Sequence, residues 1–375
     1  MNAIVVSEGG KLSFERVPDP QLGAGEVVVE LRAAAVNRRD LIVRSGLYNF
    51  PIPFIPGSDG AGVRRDTGEE VVILPSLDWG EREEAPGDRF RILGGPDNGT
   101  YAELVKVPVD NVYPKPRRLS WEEAAALPLA GLTAYRALFT RARVTAGESV
   151  LVLGAGSGVA TFAVLLARQA GARVLVTSSR REKLERAREL GAEAGFDYTA
   201  GDWVAEVRDC TGGQGVDVVI DSVGSTWRDS LRCLRRGGRA VVFGATGGAT
   251  VELEVRPFYF GQFSLLGTTM GSPREFVALL KVVEQGSWVP AIDSVRPLAE
   301  AERAVCLWIH ITIPFRRAFA SARSILGTRD AAGNPAIDFG QTRTDHLDIN
   351  GLPMEPDHEL EVVMDVKEKP LNTPV

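Results

Sequence analysis

A glycine-rich turn between two apolar runs is the segment whose residues most directly suggest a chemistry; it reads GAGSG at positions 154–158. Gly154 and Gly156 allow a sharp turn and a close approach of the backbone to a ligand. The apolar segment that follows predicts a helix, whose unpaired N–H groups and dipole would favour a phosphate. This strand–turn–helix pattern is typical of a site for a dinucleotide pyrophosphate, with predicted contacts at Gly154, Gly156, Ser157, Gly158 and Val159.

The glycine motif is incomplete by itself. Counting G-x-G-x-x-G from Gly154 places Val159, and not a glycine, at the third position. A tight strand-to-helix turn in an unrelated α/β protein would carry the same two glycines. The function of the turn therefore depends on the residues that surround it.

The residues after the second apolar run indicate which dinucleotide would fit. An Asp or Glu about 20 residues past the glycines usually binds the ribose of NAD, whereas Ser178 and Ser179 occupy that position here. Without a carboxylate a 2′-phosphate is not repelled, and Arg180 and Lys183 would attract it, which favours NADPH. In the alternative interpretation, Ser179 caps the next helix and the cations belong to a solvated helix face.

The order of predicted strands and helices indicates two domains of different type. The first 118 residues are β-rich and punctuated by Gly and Pro, which predicts a compact barrel-like domain, with an exposed charged loop at residues 77–91. From Ser120 onward strands alternate with helices, which is typical of a doubly wound parallel sheet. Capping boxes predict helix starts at Ser120, Ser179 and Ser272.

Composition excludes several classes of protein. A length of 375 residues suggests about two domains, and the net charge of −6 gives no attraction to nucleic acid or to anionic membranes. We find no apolar segment of the roughly 20 residues needed to span a bilayer and no signal peptide, so we expect a cytoplasmic protein. The cysteines are far apart, and every histidine lies at position 310 or beyond.

The chain resembles the medium-chain dehydrogenase/reductase superfamily, on its zinc-free, quinone oxidoreductase-like side. The matching stretches follow the family's order from residue 1 to about 305, and they include AAVNRRDLIVRSGLY (34–48), PGSDGAG (56–62), GTYAELVKVP (99–108), AAALPLAGLTAYRAL (124–138), DVVIDSVG (217–224) and SLLGTTMGS (264–272). The resemblance implies an N-terminal GroES-like β-barrel domain (1–120), a Rossmann domain (121–290) and a segment returning toward the first domain (291–305). It places the active site in the cleft between the two domains.

The resemblance also implies roles for individual residues. Asn37 matches a residue beside the nicotinamide ribose or the substrate, and Tyr48 matches an aromatic residue at the substrate mouth that could donate a hydrogen bond. Asp40 either fixes the local loop or transfers a proton. The remaining implied cofactor contacts are Thr133, Tyr198, which would reach the 2′-phosphate, Gly244 and Thr268.

Zinc-dependent members of the family carry a cysteine near residues 38–39 and a histidine at the position of Ser58. This chain has arginines and a serine there, and Asp59, which could offer oxygen, is alone beside Ser58. We therefore predict no zinc, and hydride transfer from NADPH to a quinone or to an activated alkene or carbonyl. The alternatives are a zinc-type alcohol dehydrogenase-like enzyme and a non-catalytic, crystallin-like NADPH-binding protein.

The C-terminal part departs from the family. Residues 298–305 begin the expected final helix, but we find no match for the short strand that returns to the first domain, so a sheet edge would be unpaired or differently paired. Residues 306–375 are atypical and predict a flexible tail, with one isolated strand at 359–366; a fusion, an altered reading frame or a true extension are the alternatives. The strand at 263–268 is expected to pair across a two-fold axis, giving a homodimer.

Overall fold

A computed structural model of the chain describes residues 1–248 and 250–302, together with the backbone of residues 311–314. The elements of its first part are β1 (Asn2–Val6), β2 (Leu12–Arg16), β3 (Glu26–Ala35), α1 (Arg38–Arg44), β4 (Asp59–Arg64), β5 (Glu70–Ile73), β6 (Ser76–Leu77), β7 (Arg91–Ile92), β8 (Leu104–Pro108) and β9 (Val112–Pro114). The sequence missed β2, which lies in a polar segment and pairs with β1 in antiparallel fashion.

The second part alternates helices and strands, as predicted. Its elements are α2 (Trp121–Ala126), α3 (Pro128–Tyr135), β10 (Ser149–Val152), α4 (Gly158–Gln169), β11 (Arg173–Ser178), α5 (Arg181–Glu189), β12 (Ala194–Asp197), α6 (Trp203–Cys210), β13 (Val216–Asp221), α7 (Trp227–Cys233), β14 (Leu234–Val242), α8 (Val255–Gly261), β15 (Ser264–Gly267) and α9 (Pro273–Gln285). Two further short strands follow, β16 (Ser294–Val295) and β17 (Ile311–Pro314). None of the helices in the described part of the chain is long and apolar enough to cross a membrane.

The first part is built on a curled, mainly antiparallel sheet. Its strand order is β16-β17-β3-β4-β5-β9, and β8 also pairs with β3. Buried residues alternate along the first part of β3, so that Val27, Val29 and Leu31 all face one interior. Val71 and Val105 from neighbouring strands pack against them, which gives this part a core of its own.

The second part contains a six-stranded parallel sheet in the order β12-β11-β10-β13-β14-β15. The side chains of β10 alternate between its two faces, because successive residues of a strand point in opposite directions. Val150 and Val152 pack with α3, α4 and α9, whereas Leu151 packs with residues of α6 and α7. The predicted doubly wound parallel sheet is therefore confirmed.

The structure corrects two sequence predictions. The sequence predicted no strand returning to the first domain, but Ile311–Pro314 forms one. It pairs antiparallel with β3, with Thr312 opposite Ala35, and parallel with β16. The segment at 77–91 is not simply an exposed loop, since Leu77 and Trp79 are buried. The predicted strand at 359–366 and the rest of the predicted tail, apart from β17, lie outside the described residues.

Candidate functional site

The glycine turn joins β10 to α4 and has the geometry that an anion site requires. Gly154 and Gly156 have φ of 73° and 89°, a backbone conformation that a side chain would strain. A Cβ atom on Gly154 would meet nothing within 4 Å, so the backbone there faces open space. Ser157 is the N-cap of α4 without a side-chain hydrogen bond, and the first turn carries no acidic residue. The first N–H groups of α4 therefore suit a phosphate.

Two cations lie beside this turn. A Cβ atom on Gly156 would come within 2.8 Å of Lys183 Cδ, so the lysine side chain extends along the turn. Burial, and then the neighbouring Arg180, lowers the pKa of Lys183. Within the described part of the chain neither cation forms an ion pair, whereas the adjacent Arg181 pairs with Glu185 at 2.8 Å.

The predicted cap at Ser179 is wrong. Arg180 is the N-cap of α5 and has no side-chain capping bond, because the helix begins one residue later than the capping box requires. Instead the Arg180 N–H donates to Ser178 Oγ at 3.3 Å. Ser178 pairs with Asp197 in the parallel register of β11 and β12, so Tyr198 follows directly beside Ser179. These residues lie at the ends of β11 and β12, next to Arg180 and Lys183 at the start of α5.

Two further predicted cofactor contacts, Gly244 and Thr268, lie at the same edge of the parallel sheet. Gly244 follows β14 with φ of 109°, and Thr268 follows β15, where its N–H donates to Val242 O at 3.0 Å. The hydroxyl of Thr268 is buried and has no hydrogen-bond partner among the described residues. Together with Gly154 and Ser178, these residues lie at the carboxyl ends of their strands, where ligands bind in open α/β sheets.

A buried carboxylate at the start of β4 connects the two parts of the molecule. Asp59 Oδ2 accepts a hydrogen bond from Asn37 Nδ2 at 2.9 Å, and Asp59 Oδ1 accepts one from the backbone N–H of Leu129 at 2.9 Å. Burial raises the pKa of Asp59 to about 8, although both N–H groups oppose the shift. Asp59, Asn37, Leu129 and Asp40 are named the Asp59 cluster below.

Asp40 has the contacts of a residue that anchors a loop. Its Oδ2 accepts from the Asn37 N–H at 2.7 Å and from the Tyr101 hydroxyl at 2.9 Å, which fixes the turn before α1. Burial raises the pKa of Asp40 to about 6. Its Oδ1 is buried and has no partner among the described residues. This geometry favours the loop-fixing role over proton transfer.

The positions where zinc-dependent relatives carry ligands hold hydrogen bonds instead. Ser58 Oγ donates to Leu93 O at 2.8 Å, and Arg39 Nη2 donates to Gly95 O at 2.8 Å. No group of three or more His, Cys, Asp or Glu residues suitable for a metal occurs within residues 1–248 and 250–302. The described residues at these positions therefore do not fit a zinc ion.

Tyr48 lies at the surface, close to Arg39 of α1. Its side chain is 50% exposed and stacks on Phe50, with 5.5 Å between the ring centroids. The guanidinium carbon of Arg39 lies 5.9 Å from the centre of the Tyr48 ring. Thr133, in contrast, is buried on α3, where its hydroxyl donates to Leu129 O at 2.7 Å, and α3 packs against α4.

A second buried cluster was missed by the sequence predictions. Arg136, with a side chain only 2% exposed, donates to Glu275 Oε2 at 2.7 Å and to the carbonyl oxygens of Glu83 and Glu84 at 3.1 and 2.6 Å. Its guanidinium carbon lies 4.9 Å from the centre of the Trp79 ring. These five residues, the Arg136 cluster, hold the 77–91 segment against the α/β part.

The fold and the glycine-turn site together define a two-domain, NAD(P)H-dependent oxidoreductase. Residues 23–117 match the family model of the alcohol dehydrogenase GroES-like domain, and residues 158–285 match that of the zinc-binding dehydrogenase domain. The chain belongs to the medium-chain dehydrogenase/reductase superfamily and to its quinone oxidoreductase-like branch.

Individual relatives carry two kinds of name. The chain is 32% identical to the quinone oxidoreductase of Mus musculus over 77% of this chain and 86% of that protein. It is 35% identical to a zinc-type alcohol dehydrogenase-like protein of Schizosaccharomyces pombe over 80% of this chain and 92% of the relative. A solved structure of an NAD-dependent alcohol dehydrogenase superimposes with a TM-score of 0.77 at 36% identity, covering 84% of this chain and 99% of that one.

Proposed function

We propose that the protein reduces a quinone, or another activated alkene or carbonyl compound, with NADPH and without zinc. The observation that carries the proposal is the donor set of the Asp59 cluster and its surroundings. A serine hydroxyl and an arginine, both bound to carbonyl oxygens, stand where zinc-dependent relatives place ligands, and the neighbouring Asp59 carboxyl is bound to the Asn37 amide. Such a set cannot supply a Lewis acid for removing hydride from an alcohol.

The cofactor preference follows from charge. The turn at Gly154 and Gly156, continued by Ser157, Gly158 and Val159, would hold the pyrophosphate. Arg180 and Lys183, which have no ion-pair partner in the described part of the chain, would bind the 2′-phosphate with Ser178, Ser179 and Tyr198. Thr133, Gly244 and Thr268 would contact the nicotinamide half. When bound, NADPH supplies the hydride.

The chain's own task is to position the acceptor and to stabilise charge on its oxygen. A quinone or enone already carries an electron-withdrawing carbonyl group, so it needs less activation than an alcohol. Hydride addition leaves a negative oxygen on the acceptor, and water supplies the proton that completes the reduction. Tyr48 is half-exposed and could donate a hydrogen bond to that oxygen. Unchanged turnover in Tyr48→Phe would show that Tyr48 only lines the substrate pocket.

An NADPH oxidation screen against quinones, enones and aldehydes, with and without a chelator, tests the proposal. We expect acceptor-dependent oxidation that the chelator does not affect, and elemental analysis without stoichiometric zinc. One tightly bound zinc per chain, or loss of activity with the chelator, would favour the zinc-type alcohol dehydrogenase alternative. NADPH binding without turnover of any acceptor would favour the non-catalytic alternative. The homodimer, the cytoplasmic location and the domain boundaries stay predictions.

A further inference from the structure

Asp59 projects from a rigid backbone position. Its main chain pairs with Ala35 of β3 at the end of the β3–β4 ladder. Its carbonyl oxygen accepts a hydrogen bond from Thr100 Oγ1 at 2.8 Å, and its side chain is fully buried. A side chain anchored in this way can hold its partners within a narrow range of positions.

The two partners of Asp59 belong to different parts of the molecule. Asn37 lies two residues beyond the end of β3 and directly precedes α1. Leu129 is the second residue of α3, and because Pro128 has no N–H, its N–H is the first free donor of that helix. The same Leu129 accepts a hydrogen bond from Thr133 through its carbonyl oxygen. One carboxylate thus connects the residue on the acceptor side with the helix that carries a cofactor contact.

Both contacts require a group that can accept a hydrogen bond at each of its two oxygens. Asn37 Nδ2 and the Leu129 N–H are both donors, and a carboxyl group can accept from each of them through a different oxygen, with or without its proton. A side-chain amide at position 59 would place its own NH2 group, a donor, opposite one of these two donors. No cation pairs with Asp59 in the described part of the chain, and nearby Asp40 raises the pKa of Asp59 further, so an ion pair does not account for this buried carboxyl group.

We propose that Asp59 is a positioning residue that orients the Asn37 amide with one carboxylate oxygen and holds the first turn of α3 with the other. The acceptor side and the cofactor side of the reaction are thereby kept in one geometry. This role rests on the proposed NADPH-dependent reduction, because Asn37 and Thr133 acquire their importance from it. Asp59 itself acts through these residues and does not touch the reacting atoms.

Asp59→Asn tests the orientation of Asn37. The Leu129 N–H is a backbone donor that cannot turn, so the oxygen of the new amide is expected to face it, and the Asn37 amide must then flip to accept from the new NH2 group. We expect kcat for quinone reduction to fall on the order of 10- to 100-fold, with a much smaller change in the Kd for NADPH. The control is Asp217→Asn, in which the carboxylate bound to Ser149 and Arg235 at the opposite edge of the parallel sheet is changed; its kcat should equal that of the wild type.

A second substitution should restore the pairing. Asn37→Asp alone sets two carboxylates against each other, whereas in the Asp59→Asn background the introduced carboxylate can accept from the new NH2 group. We expect the double variant to exceed both single variants in kcat per NADPH-binding site. A double variant less active than either single variant would contradict the orienting role.

Hydrogen exchange measured on the full chain tests, independently of turnover, whether Asp59 holds Asn37 and the first turn of α3 in place. In Asp59→Ala, residues 37–44 and 128–135 should both exchange faster than in the wild type, and Asp217→Asn should alter neither segment. Unchanged exchange together with unchanged kcat in Asp59→Ala would overturn the proposal. If the wild type binds NADPH but reduces no acceptor, the proposed function fails, and the exchange data then decide whether Asp59 holds the two segments.

Discussion

Two buried polar clusters join the antiparallel part to the α/β part. They differ in whether their buried ionisable groups have a partner of opposite charge. In the Arg136 cluster, the guanidinium meets the Glu275 carboxylate and two carbonyl oxygens. In the Asp59 cluster, the hydrogen bonds that the described residues donate to the two carboxyl groups all come from neutral N–H and O–H groups. A compensated buried charge acts as an anchor, whereas an uncompensated one has a shifted pKa and responds to its surroundings. Only the second type lies beside the predicted reaction site.

Removal of Arg136 should cause the largest loss of stability among the substitutions that test this comparison. In Arg136→Met the Glu275 carboxylate stays buried without its cation, and we expect a loss of about 3–5 kcal/mol in the free energy of unfolding. Chemical denaturation of the variant and the wild type measures the loss. Arg136→Met combined with Glu275→Gln should recover much of it, because no unpaired charge then remains.

The exposed ion pair on α5 provides the matched control. Arg181 and Glu185 are 2.8 Å apart, with side chains 87% and 52% exposed. Arg181→Met should change the free energy of unfolding by about 0.5 kcal/mol or less. If Arg136→Met costs no more than this control, the Arg136 cluster does not anchor the 77–91 segment.

The Asp59 cluster should make stability depend on pH in an unusual direction. Burial raises the pKa of Asp59 from 3.8 to about 8 and that of Asp40 to about 6, while Arg39 acts to lower the pKa of Asp40. Between the unfolded and folded pKa values the folded state binds more protons. Stability is therefore fully present below about pH 4 and declines as the pH rises through 8, by at most about 1.4 kcal/mol per pH unit for one proton.

Asp59→Asn isolates this contribution. Since Asp40 has a pKa of about 6 and Tyr101 has a pKa raised well above 10, most of the decline between pH 6 and 8 should come from Asp59. Urea denaturation across this range should show the decline in the wild type and a flatter profile in the variant. Parallel profiles in the two proteins would mean that Asp59 is ionised throughout and that its N–H donors outweigh burial.

The elements that local pattern predicts were found close to their predicted bounds. The turn at 154–158 lies between β10 and α4, and the strand at 216–221 begins and ends as expected. The capping boxes at Ser120 and Ser272 form, with Ser120 Oγ accepting from the Glu123 N–H at 3.2 Å. These features depend on hydrogen bonds and periodicity within a few residues, which a sequence displays directly.

The clusters could not be predicted because their partners are far apart in the chain. Asp59 binds residues 22 and 70 positions away, and Arg136 binds residues 53 and 139 positions away. The pairing of β17 with β3 was missed for another reason. The β-branched run Ile311-Thr312-Ile313 is a good strand sequence, but it does not match the family's usual ending, so the resemblance predicted no strand there.

Arg180 and Lys183 form a third case, since they are cations without a carboxylate partner in the described part of the chain, beside the glycine turn. If a cofactor phosphate compensates them, Arg180→Ala and Lys183→Ala should each weaken NADPH binding by about 1.5–3 kcal/mol, the usual contribution of a charged hydrogen bond. Binding of NADH, which has no 2′-phosphate, should change far less. Fluorescence titration of both nucleotides measures the difference.

Arg181→Ala is the control. Because Arg181 is already paired with Glu185, this substitution should change the affinity for neither nucleotide. Equal affinities of the wild type for NADPH and NADH would show that solvent alone compensates these cations. The contrast between paired and unpaired charged groups would then apply to the Asp59 and Arg136 clusters and not to the cofactor site.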